Sequence, residues 1–149
     1  MLYLKYEEFT KSVFKFIVKS GNYNKLKYIR LKIHKEIRQD DTHGMAYRCT
    51  VRIFLDQILF NKRDYSEYDI KGYIVFVVAH ELSHLLQSID IKRYHSEKKY
   101  RNFIEASADI VALEYIKEYY DILKENIGYF SLDVLMEPER NAREYLNKV

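Results

Sequence analysis

The strongest constraint on the fold is a run of apolar residues with charge-bearing side chains set inside it. Ile74-Val75-Phe76-Val77-Val78-Ala79 leads into His80-Glu81-Leu82-Ser83-His84, and Leu85-Leu86 follows. As a helix, the segment has apolar side chains over most of its circumference, so it belongs at the centre of the molecule. Its polar side chains are then buried and need partners. Asp64 or Ser66 is placed to cap its start, and the expected helix covers residues 67–89. The rest of the chain has to pack around that helix.

Histidines at i and i+4 lie one above the other on one helix face, so the imidazoles of His80 and His84 can reach a single tetrahedral Zn²⁺ at about 2.0–2.1 Å. Glu81 projects about 100° round the helix from His80, where it can take a proton from a zinc-bound water. A second signal lies 21 residues beyond His84, in Asn102-Phe103-Ile104-Glu105-Ala106-Ser107-Ala108-Asp109. Glu105 and Asp109 are again at i and i+4. That spacing suits an oxygen ligand followed one turn later by a carboxylate that accepts a ring N–H from a ligating histidine. Asp90 and His95 are alternative third ligands, although no glycine follows the second histidine to break the helix and bring Asp90 back to the metal.

H-E-L-S-H followed by E-A-S-A-D resembles the gluzincin metallopeptidases, whose pattern is H-E-x-x-H with E-x-x-x-D on a later helix. The E-x-x-A-D form is most similar to the heat-shock membrane metalloproteases, the prenyl-protein proteases and the small soluble minigluzincins. The resemblance covers about residues 70 to 116. It implies His80, His84 and Glu105 as zinc ligands, Glu81 as general base and Asp109 as the outer carboxylate. Metallopeptidases that cleave phage-type repressors share H-E-x-x-H and a similar acidic helix.

The expected fold class is α+β: a small zincin-like domain, mainly helical, with an antiparallel β-hairpin or small sheet packed on the metal-bearing helix. At 149 residues the chain is expected to form one domain, residues 1–149, large enough for a real core. Gly 4 and Pro 1 imply few loops. Tyr6, Phe9, Val13, Phe16 and Ile17 predict an amphipathic helix over residues 5–20 that Gly21 terminates. Ile29, Leu31 and Ile33 alternate with Arg30, Lys32 and His34, which predicts a half-buried strand over residues 25–34. Turn chemistry at residues 40–44 and renewed alternation from Tyr47 to Leu55 predict a second strand, paired with the first as a long hairpin. Residues 90–99 read as a loop and residues 100–124 as the helix bearing Glu105 and Asp109. Gly128 breaks the chain, Ser131 opens a short helical segment, and Pro138 falls in the first turn of another.

The longest uninterrupted apolar stretch is far below the roughly 20 residues that span a bilayer, and no signal-like segment opens the chain, so a cytoplasmic location without membrane insertion is expected. A single cysteine, Cys49, agrees with a reducing compartment and reads as a small buried strand residue. Net charge is +3, unevenly spread: residues 1–39 hold ten Lys and Arg against three Asp and Glu, and residues 102–149 hold five against ten. The basic third could serve an acidic partner such as nucleic acid, but its lysines read first as solvated faces.

The functional expectation is a zinc-dependent endopeptidase that hydrolyses peptide bonds through a Glu81-activated, zinc-bound water and acts on protein or peptide substrates. The strand Tyr47 to Leu55 offers an edge for an extended peptide. Tyr94, His95, Tyr100 and Tyr129 are candidates for the oxyanion donor. The acidic tail, residues 125–149, is expected to cover the cleft in a latent form. The alternative is a zinc-containing regulatory or nucleic-acid-binding protein without hydrolytic activity.

Overall fold

The computed structural model describes residues 2–149. Helix α1 (Leu2–Ile17) buries Tyr6, Phe9, Val13 and Ile17, the face its periodicity marks, and the chain then turns at Gly21, whose φ is +55°. A 3-10 turn (Gly21–Lys25) places Tyr23 in the core. Three strands follow: β1 (Arg30–His34), β2 (Gly44–Tyr47) and β3 (Thr50–Phe54).

The sheet order is β1-β3-β2, with β1 parallel and β2 antiparallel to β3. This corrects the expected long hairpin. The turn-like residues 40–43 carry the chain from β1 past the position of β3 to the far edge, and the reversal comes later, at Arg48-Cys49. Arg48 there has φ +56°. The alternation from Tyr47 to Leu55 therefore belongs to the end of β2, a tight turn, a central strand and the start of a further helix, α2 (Leu55–Asn61), in place of one continuous strand. Cys49 is exposed in that turn, contrary to the buried position expected for it.

Helix α3 (Glu67–Leu86) is the predicted central helix. The Ser66 hydroxyl caps it by accepting from Asp69 N–H, and residues 74–79 and Leu82 are all buried. It ends at Leu86, three residues short of the expected boundary, where Gln87 turns into extended backbone. The expected loop at 90–99 contains a short helix, α4 (Ile91–Ser96), capped by Asp90. Helix α5 (Lys98–Glu118) stops at Tyr119, so the predicted continuation to residue 124 is a separate helix, α6 (Tyr120–Ile127), which ends at Gly128 with φ +92°.

A 3-10 turn (Asp133–Leu135) precedes α7 (Met136–Lys148), with Pro138 in its first turn. The inward sheet face (Leu31, Ile33, Val51, Ile53), α1, α3 and α5 contribute to one apolar cluster. The result is a mainly helical α+β fold with a small mixed sheet beside α3. No helix is long and apolar enough to cross a membrane.

Candidate metal centre

Helices α3 and α5 bring His80, His84 and Glu105 together, although Glu105 lies 21 positions beyond His84 in sequence. The Nε2 atoms of His80 and His84 are 3.0 Å apart. Glu105 Oε1 is 3.2 Å from His80 Nε2, and Glu105 Oε2 is 2.8 Å from His84 Nε2. A tetrahedral ion with ligand bonds of about 2.0–2.1 Å keeps its donors about 3.3 Å apart, so the cluster is already near the size of a zinc site.

The far side of each imidazole is also held. His80 Nδ1 lies 2.7 Å from Asp109 Oδ1. The approach is bent away from the ring N–H direction, and this buried nitrogen has no better-aligned partner among the described residues. His84 Nδ1 is 2.7 Å from Gln87 Oε1, while Gln87 Nε2 donates to the Ile104 carbonyl of α5 at 3.0 Å. That second bond fixes which end of the amide faces the histidine, so His84 Nδ1 is the donor and its Nε2 carries the lone pair. The His84 Nε2 lone pair faces His80 Nε2, whose other neighbour is the Glu105 carboxylate, so the centre of the cluster suits either a proton on His80 or a cation. The donor set fits a divalent ion.

Electrostatics follow the same geometry. Burial alone would lower the His80 imidazole, but the Asp109 and Glu105 carboxylates outweigh it and lift His80 to about 10. Burial alone would raise Glu105, yet the two imidazoles hold it well below the usual carboxylate range. Glu81 is buried next to the cluster, 3.9 Å from His80 Nε2, and burial raises it despite the neighbouring imidazoles.

Two further residues, Tyr94 and Gly44, frame the site. Tyr94 of α4 donates its phenol to Glu105 Oε2 at 2.9 Å, and burial, followed by the Glu105 charge, raises its pKa. Of the other sequence candidates for an oxyanion donor, His95 is exposed, Tyr100 accepts a bond from Asp90 N–H, and Tyr129 stacks edge-on against Tyr68. Asp90 is occupied as the α4 cap. Gly44, in the edge strand β2, lies against Glu81: a Cβ added there would come within 2.8 Å of both Glu81 Cγ and Oε2. Gln87 and Gly44 carried no sequence signal, because their roles depend on which segment the fold brings alongside.

In comparisons with protein-family models, curated proteins and solved structures, nothing matches this chain.

Proposed function

We propose that the protein is a zinc metallopeptidase of the gluzincin type that cleaves internal peptide bonds. The observation that carries this reading is the convergence of the His80, His84 and Glu105 donors from two helices, with the buried Glu81 carboxylate alongside. His80, His84 and Glu105 would hold zinc, and Asp109 and Gln87 would orient the two imidazoles. Bound there, zinc would supply Lewis acidity toward water and the scissile carbonyl.

Glu81 is the proton carrier in this reading. Buried beside the cluster, 3.9 Å from His80 Nε2, its carboxylate is placed to accept a proton from the attacking water and return it to the leaving amine. Tyr94 presents the hydroxyl nearest the cluster that can turn to stabilise a developing oxyanion. The substrate would lie in extended form along β2. That strand is the free edge on the Glu81 side of the sheet, whereas β3, within the Tyr47 to Leu55 segment expected to supply it, is paired on both sides. Gly44 lets β2 itself pack directly against Glu81, so that the strand the peptide would join lies beside the proton carrier. A cytoplasmic setting agrees with the single exposed thiol of Cys49.

The test combines metal analysis with proteolysis of an unstructured protein such as casein. Wild type should carry about one zinc and cleave; Glu81→Gln should keep the zinc and lose cleavage; His84→Ala and Glu105→Ala should lose both. Cleavage that survives Glu81→Gln, or protein that takes up no zinc, would refute the assignment.

A further inference from the structure

The outward face of the sheet forms a second feature, separate from the metal centre. Leu31, Ile33, Val51 and Ile53 point inward, so strand alternation turns Arg30, Lys32, Met45, Tyr47, Thr50 and Arg52 to the opposite face. The strand register then lines up Arg30, Thr50 and Tyr47 across the three strands, and Lys32, Arg52 and Met45 in the next row. Arg48 in the β2–β3 turn lies over the Tyr47 ring, 5.3 Å from its centre. Tyr47 is 56% exposed, and Tyr28, two residues before the start of β1, is 92% exposed.

Two properties of this face are costly for the isolated protein. Lys32 is directly opposite Arg52, a like-charge cross-strand pair that destabilises a sheet. Among the described residues, the ion pairs include none of Arg30, Lys32, Arg48 and Arg52. An anionic partner would relieve the repulsion. Exposed rings beside guanidinium groups add a requirement that simple charge does not, since they favour a partner that offers flat, unstacked surfaces.

We propose that this face binds single-stranded nucleic acid, with Arg30, Lys32 and Arg52 on successive phosphates and Tyr47 stacking a base. The contacts go to phosphates and base faces, so DNA and RNA strands are bound alike. A duplex hides its base faces from Tyr47, an acidic peptide has none, and an anionic bilayer calls for inserted apolar side chains where this face offers chiefly Met45. The proposal does not rest on the metallopeptidase reading.

The test is fluorescence anisotropy of full-length protein with labelled oligothymidine and oligouridine of ~20 nucleotides, titrated from about 50 to 200 mM salt. Both strands should bind, with log K falling against log salt at a slope of about −2 for three phosphate contacts, roughly a fifteen-fold loss across that range. Combined Arg30→Gln, Lys32→Gln and Arg52→Gln should weaken binding at least about tenfold and flatten the slope. Tyr47→Ala should weaken both oligonucleotides about tenfold and leave polyglutamate binding unchanged. Wild-type protein that binds neither strand at low salt, or that binds polyglutamate or phosphatidylserine vesicles as tightly as the oligonucleotides, would overturn the proposal. So would affinity indifferent to both sets of substitutions in variants with unchanged circular dichroism.

Discussion

Gly44 and Glu81 are packed so closely that a methyl group at residue 44 would come within 2.8 Å of the Glu81 carboxylate and 2.9 Å of a Val77 methyl. Gly44→Ala should therefore displace Glu81 while leaving the donors of His80, His84 and Glu105 in place. The expected outcome is at least a tenfold fall in peptide hydrolysis with zinc content unchanged, read by metal analysis beside a casein assay. Gln87 should affect the metal itself. Gln87→Ala frees His84 Nδ1 from its acceptor and cuts the link to the Ile104 carbonyl, so zinc affinity should fall about 10–100-fold in a chelator competition, with folding retained. The residues of the cluster were readable in the sequence because helical spacing puts His80 over His84 and Glu105 over Asp109, and the resemblance to the gluzincin pattern joined the two pairs. Gly44 and Gln87 were not, because no local pattern tells a glycine to lie against a carboxylate or an amide to span two helices.

At the scale of elements, the loop before β2 is held by a half-buried histidine. His43 lies 2.5 Å from the Tyr73 hydroxyl of α3 through Nδ1 and 2.6 Å from Asn61 Oδ1 of α2 through Nε2. Chiefly through burial, its pKa is lowered from the ordinary 6.5. The folded state thus prefers the neutral ring, and its contribution to stability is complete above about pH 6.5 and lost as pH falls through the lowered value. Urea denaturation of wild type should show that loss between pH 7.5 and 5, and His43→Gln should show less of it; equal pH dependence in the two proteins would contradict the role given to His43. This loop is also where the strand order departs from the expected hairpin. Alternation marks residues 30–34 and 50–54 as strands but says nothing about their relative direction. Residues 40–44 have the composition of a hairpin turn, whereas the actual reversal uses Arg48 at φ +56°, without the glycine or asparagine that normally marks such a turn.

At the scale of the whole molecule, the C-terminal segment is built into the core around α3. Phe130 and Leu135 are buried, Ser131 N–H donates to the Tyr68 carbonyl, and α7 runs along α5 with Ala142 buried, Glu139 paired with Lys117, and Tyr145 donating to the Lys99 carbonyl. The sequence marked the breaks at Gly128 and Pro138 but not this docking, which depends on a glycine in the second turn of α3. At Gly72 the Ser131 carbonyl oxygen comes so close that an added Cβ would lie 2.0 Å from it. The obstacle is backbone and cannot rotate aside. A Gly72→Ala substitution, which elsewhere in a helix would raise stability through propensity, must here push the 130–135 segment off α3. Overpacking of this kind costs about 1–3 kcal/mol, and the expected result is a lowered melting temperature, with faster amide exchange at Ser131 and along α7 than at residues 74–82. The ligand turn of α3 lies two helical turns further along, so zinc content should stay at the wild-type level. A Gly72→Ala protein as stable as wild type would mean that the tail is not seated on α3 at all.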